Sequence, residues 1–245
     1  MRSDRRTGTP HPTSATYQSP ALVAAVQVSR TFGAGRRAVV AVHGVTCTIE
    51  PDARIAISGV SGSGKSTLLH LFAGLDQPTS GSLEWPAQDH GGAPGSYDVA
   101  TVFQGASLIP SLTARENAAL PLVLQGIGQG IAEDRADQAL TDLGVGELGG
   151  KLPEELSGGQ AQRVAVARAV ATSPRLLLAD EPTGQLDHRA AQRVVDVLLQ
   201  TADRLGAALV VSTHDPQVAH RLVTRWRMHQ GRLDTHLDEP LCRRS

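Results

Sequence analysis

The sequence predicts an α/β fold around a mostly parallel sheet, with an N-terminal antiparallel β region and a helical subdomain at about residues 105–170. Three observations lead there. The apolar run 176–179 is too short for a helix and reads as a buried strand, and 207–213, apolar as far as Val211, reads as another. Segments with helical spacing alternate with such runs over much of the chain. From about 105 to 170 that alternation stops and helical segments follow one another.

In chain order, residues 1–20 are polar and rich in Pro, Ser and Thr, and predict a flexible tail. Residues 22–28 and 39–49 are rich in β-branched side chains and predict two strands joined by a glycine-containing turn. Residues 54–58 predict a short strand that runs into a glycine-rich loop, and 65–74 a helix ending at a glycine. Residues 81–85 and 98–103 predict two short strands around a Gly/Pro-rich loop. Thr113 and Glu116 have the spacing of a capping box for a helix through Leu124, which Pro121 should bend. Further helices are expected over 131–143, 158–171 and from Asp187 to Arg204, the last stopped by Gly206. A final strand pair is expected over 223–233 with its turn at Gln230-Gly231. One domain over 21–235 follows, with a C-terminal tail over 236–245.

Composition narrows the function classes. Of 245 residues, 40% are hydrophobic and 19% charged, a globular balance. A net charge of −1 and no basic stripe mean that no nucleic-acid partner is expected, and 3% aromatic residues leave little to stack on bases. The two cysteines, Cys47 and Cys242, lie in no metal-ligand pattern, which suits a reducing compartment. No apolar run approaches the roughly 20 residues needed to span a bilayer, and no apolar stretch follows the N-terminal arginines as in a signal peptide. A soluble, cytoplasmic protein is the expectation, reaching a membrane only through a partner.

The residues Gly59, Val60, Ser61, Gly62, Ser63, Gly64, Lys65 and Ser66 match G-x-x-x-x-G-K-S/T between a predicted strand and a predicted helix. In such a loop glycines let successive amides curl around phosphate oxygens, and the helix N-terminus adds positive potential. Lys65 then reaches the β- and γ-phosphates and the Ser66 hydroxyl ligates Mg²⁺. The fold class becomes a P-loop NTPase core. Asp180 closes the apolar run 176–179, at the strand end where α/β sheets bind ligands, and suits the Mg²⁺ shell. Glu181 beside it suits polarising a water for attack on a γ-phosphate. Ser157, Gly158, Gly159 and Gln160 open a predicted helix, which reads equally as a second anion site or as a plain N-cap.

Taken together, GVSGSGKST (59–67, ending at Thr67), Gln104, LSGGQ (156–160), LLLADEP (176–182), Asp187 and His214 resemble the nucleotide-binding domain of ATP-binding cassette (ABC) proteins over about 21–233. The resemblance implies an ATP hydrolase using ATP and Mg²⁺. It implies a homodimer in which two domains pair head to tail, each ATP lying between one P-loop and the partner's LSGGQ. It gives Phe32 the place of an adenine-stacking aromatic, although an ordinary strand-end aromatic is the alternative. Gln104 takes the place of a glutamine that touches Mg²⁺ and the attacking water. Asp187 takes that of the D-loop aspartate, a nucleotide-binding position, or is only a helix cap. His214 takes that of a histidine contacting the γ-phosphate.

A narrower likeness, in residues 66–76, 78–81, 115–117 and 120–122, is to the lipoprotein-releasing and macrolide-export group. It implies an integral membrane permease as a separate partner, export as the direction, and a place on the inner face of the cell membrane. Two other readings stay open: an ATPase that transmits force to a transporter-like membrane protein, and a soluble cassette ATPase outside transport.

Overall fold

The computed structural model describes residues 20–87, 98–184, 186 and 188–235. The expected tails and the Gly/Pro-rich loop at 88–97 lie outside the described residues, as does Asp187. Two sheets divide the strands. β1 (Val23–Phe32), β2 (Val39–Ile49) and β4 (Ser80–Glu84) form an antiparallel sheet ordered β2-β1-β4. β3 (Arg54–Ser58), β5 (Val99–Val102), β6 (Leu176–Asp180), β7 (Ala208–Thr213), β8 (Thr224–His229) and β9 (Arg232–Asp234) form the second, ordered β5-β6-β7-β3-β8-β9. Its pairings are parallel except β8 with β9.

The central strands β6 and β7 are buried at every residue because both sheet faces are covered. Alternation assigns the faces. Leu176, Leu178, Ala208 and Val210 pack with α1 (Lys65–Phe72) and the antiparallel sheet, around Phe72, Leu68 and Ile49. Leu177, Ala179, Leu209 and Val211 pack on the other side with α4 (Gly158–Val170) and α5 (His188–Leu205). Each fully buried Leu or Ile contributes about 1.5–3 kcal/mol of hydrophobic stabilisation.

Local chemistry explains the ends of the elements. α2 (Ala114–Leu124) starts at a complete capping box: Glu116 N donates to Thr113 Oγ1 at 3.2 Å, and Thr113 N donates to Glu116 Oε2 at 2.7 Å. The helix runs on through Pro121 to Leu124. With α3 (Gln129–Asp142) and α4 it forms a helical cluster whose core is mostly alanine, which lets the helices approach closely. Gln230 and Gly231 both have positive φ, 47° and 77°, the geometry of a tight β8–β9 hairpin turn. The first strand is longer than its β-branched stretch suggests. It continues to Phe32 through register shifts after Ala25, with Gln27 at φ 51°, so bulges carry the polar residues that interrupt the sequence pattern.

Candidate functional site

The strand-to-helix turn at the carboxyl end of β3 is a preshaped loop. At Gly64 φ is 106°, and a Cβ there would come within 2.2 Å of Ala41 O. At Gly59 a Cβ would come within 2.3 Å of Met228 O. No other residue type fits either position without moving β2 or β8. Gly231 N donates to Ser63 O at 2.9 Å, tying the loop to the β8–β9 turn as well. Ser63 Oγ is buried with no hydrogen-bond partner within the described residues, a polar group left for something outside the chain.

A cavity of about 740 Å³ opens over this loop. Of the residues expected from sequence, Val60, Ser61, Gly62, Gly64, Lys65, Ser66, Thr67, Gln104, Glu181 and His214 line it. Gly59 and Ser63 belong to the same loop, with Ser63 buried behind its surface. Gln104 reaches the site from the segment after β5 and lies against Gly184, where a Cβ would come within 3.2 Å of its Nε2.

Lys65 is buried, and its ammonium has three acceptors for its three protons: Gly59 O at 2.8 Å, Val60 O at 3.2 Å and Glu181 Oε1 at 3.2 Å. Glu181 Oε2 lies 2.8 Å from His214 Nδ1. Lysine, glutamate and histidine thus form one chain from the start of α1 and the carboxyl ends of β6 and β7. Glu181 sits at φ 44°, a left-handed conformation costing a non-glycine residue about 1–3 kcal/mol, and such strain gathers at functional sites. Its amide donates to Ser212 Oγ at 3.0 Å and Ser212 O at 3.1 Å. The same Ser212 hydroxyl donates to Asp180 Oδ1 at 2.5 Å. One hydroxyl therefore orders both carboxylate residues at the end of β6.

Sequence reasoning passed over Ser212, although a polar residue directly after the apolar stretch 208–211 is the signal that would have marked it. It also passed over the cavity walls at Val39, Val40, Ala41 and Gln230, which carry no chemical pattern of their own.

Asp180 is buried and does not line the cavity, and two further expected groups stand apart from it. Phe32 ends β1, paired in register with the cavity-wall residue Val39, and Arg30 lies over its ring at 4.6 Å. Ser157 caps α4, with Gln160 N donating to its Oγ at 3.3 Å and its own amide donating to Gln160 Oε1 at 2.8 Å. Ser157 and Gly158 are exposed and do not line the cavity. From behind, α4 grips the Gln104 segment: Arg168 donates to Ser107 O at 2.8 Å and Ala106 O at 3.4 Å, and Gln162 to Phe103 O at 3.4 Å. Burial pushes the Arg168 guanidinium below its ordinary pKa, and those carbonyls are its compensation.

A phosphate-binding loop on a parallel sheet, with two acidic residues at the end of a neighbouring strand, defines an ATPase of the P-loop class. The chain belongs to the ABC transporter family, whose pattern matches residues 42–184, and it is an ATPase cassette of that family. It is 38% identical over 219 residues to the lipoprotein-releasing system ATP-binding protein LolD of Legionella pneumophila, covering 86% of this chain and 96% of the relative. It is 38% identical over 229 residues to the macrolide export ATP-binding/permease protein MacB of Marinobacter nauticus; there the match spans 89% of this chain and only 35% of the relative. The dimeric structure of the cassette MJ0796 in a post-hydrolysis state with ADP and Pi superposes with a TM-score of 0.78 at 32% identity, covering 87% of this chain and 98% of that one. Among the described residues no helix is long and apolar enough to cross a membrane.

Proposed function

We propose that this chain is the energising subunit of a transport system, working as a homodimer on a separate integral membrane permease at the inner face of the cell membrane. ATP occupies the 740 Å³ cavity with its phosphates in the 59–67 loop. The ammonium of Lys65 exchanges the Glu181 carboxylate for phosphate oxygens. Ser66, Asp180 and Gln104 are the groups that would hold Mg²⁺. A hydroxyl, a carboxylate and an amide oxygen are hard donors that suit this ion, and no cluster of three or more acidic, His or Cys ligands competes for it among the described residues. Bound there, the ion would neutralise phosphate charge. Glu181, held through His214, orients and deprotonates the attacking water, and His214 meets the γ-phosphate. Phe32 stacks on the adenine from the β1 end.

The observation that carries the dimer is the separation of the two anion-binding ends. The 157–160 cap, exposed at Ser157 and Gly158, lies outside the cavity of its own chain, so it is free to close on the nucleotide of a second copy. The structure of MJ0796 is dimeric, which supports the arrangement. Export, as a direction, rests on the family likeness and on the names of the two relatives, because the cassette chemistry is the same whichever way a partner moves its cargo.

One variant tests the reading in two ways. Glu181→Gln should bind ATP and lose turnover by about 100-fold or more, the scale of general-base catalysis. Solubilised membranes from cells holding this ATP-trapped variant, with an affinity tag, should yield a stoichiometric multi-span protein. Unchanged steady-state turnover would remove Glu181 as the base. Recovery of soluble partners alone would overturn the permease assignment and leave the ATPase standing.

A further inference from the structure

A second cavity, of about 460 Å³, shares Val60 and His214 with the first, while its Arg225, Arg227, His220 and His229 have no part in the chemistry above. Its character follows from the two-residue period of β8. Trp226 and Met228 turn into the core, 5% and 1% exposed, which sends Arg225, Arg227 and His229 to the opposite face. The short helix α6 (Pro216–Ala219), after His214, packs against β3 and β7 and leaves that face of β8 open. His220, at the end of α6, completes the lining. Arg225 Nη1 lies 3.1 Å from His220 Nδ1. A guanidinium can only donate, so His220 Nδ1 accepts and its Nε2 carries a proton. Asp234 is the register partner of Arg227 on β9, and among the described residues no acidic side chain lines the cavity itself. In a chain with a net charge of −1, two arginines on one strand face with three histidines around them are a local grouping that needs a reason.

The geometry points to a binding site for a phosphate group, carried by free inorganic phosphate or by a small phosphate ester, and held by Arg225 and Arg227 with His220 and His229 beside them. Planar guanidinium forks match phosphate oxygens two at a time. Among the described residues no Phe, Tyr or Trp side chain lines the cavity, so the site recognises the phosphate and not a nucleobase. Because Val60 and His214 face both cavities, filling this one alters the potential at the other. Two anions around one loop repel each other, so phosphate here weakens ATP binding, and by linkage ATP weakens phosphate binding by the same factor.

The test fills the nucleotide cavity of the wild-type chain with a non-hydrolysable ATP analogue and Mg²⁺. Inorganic phosphate is then titrated in and followed by calorimetry, with glycerol 3-phosphate in a parallel series. One saturable site per chain is expected, weakened at least tenfold in Arg227→Gln and retained in nucleotide-free Lys65→Ala. Arg227→Lys keeps the charge without the fork and should fall between wild type and Arg227→Gln, which guards against a folding artefact. Tighter binding of the ester identifies an ester as the ligand, and equal or tighter binding of inorganic phosphate identifies the free ion; both support the site. Absence of saturable binding overturns it, as does binding indifferent to Arg227→Gln or abolished by Lys65→Ala.

Discussion

Lys65 Nζ lies 3.2 Å from Glu181 Oε1, so the residue that should hold phosphate is paired with the residue that should activate water. The other oxygen of the same carboxylate is engaged by His214 at 2.8 Å. Before nucleotide arrives both carboxylate oxygens are occupied. Phosphate oxygens can draw the lysine away, which frees Oε1 toward the place where water must attack.

Lys65→Ala should therefore lower ATP affinity by about 10- to 100-fold, the worth of one charge-assisted hydrogen bond of roughly 1.5–3 kcal/mol. A fluorescent-nucleotide titration reads this directly. Affinity within twofold of wild type would mean that the ammonium stays with Glu181 when ATP is bound.

Ser212→Ala removes the hydroxyl that Asp180 Oδ1 receives at 2.5 Å and that also accepts the Glu181 amide. Glu181 N keeps Ser212 O, so the fold should hold. Supporting groups around a metal site are typically worth about 10-fold or more, and the Mg²⁺ concentration for half-maximal ATPase activity should rise by about that factor. An unshifted Mg²⁺ curve would separate Asp180 from the metal.

Arg168→Met cuts α4 loose from Ser107 O and Ala106 O and leaves those carbonyls without their donor. A cost of about 1–3 kcal/mol in urea unfolding is expected. Because the gripped segment carries Gln104, kcat should fall while the KM for ATP changes little, and Arg168→Lys should restore part of the rate. Equal changes in kcat and KM would assign Arg168 to stability alone.

Glu116 gives a pH signature. Hydrogen bonds from the Thr113 amide and hydroxyl hold its carboxyl below the ordinary glutamate pKa. A lowered folded-state pKa contributes stability above the unfolded value and loses it as pH falls through the folded one. The stability gap between wild type and Glu116→Ala should thus be full at neutral pH and close in acid. Thr113→Ala, which removes the N-cap itself, should cost about 1 kcal/mol at neutral pH in the same thermal or urea melts.

The sequence was most readable where local chemistry decides the outcome. The strand 54–58, the loop after it and the Thr113–Glu116 cap all appear where residue type and spacing put them, because each depends on neighbours a few positions away. The hairpin turn at Gln230-Gly231 belongs to the same group. Contacts across long sequence distances were not readable. Ser212 reaches Asp180 across 32 positions through the register of two parallel strands, and no spacing rule carries that information. The walls at Val39 to Ala41 are apolar residues whose role comes from where β2 passes the loop. The bulges that extend β1 to Phe32 were hidden because polar residues broke the pattern that marks a strand.

The glycine loop is wedged between Ala41 of β2, Met228 of β8 and the β8–β9 turn, with Gly64, Gly59 and the Gly231 amide at the three contacts. Its amides are therefore ordered when the chain folds and not when nucleotide arrives. ATP should meet a rigid receptor. Its association should be fast and only weakly temperature-dependent, with a small heat-capacity change, and differences in residence time among nucleotides should come almost wholly from how slowly each one leaves.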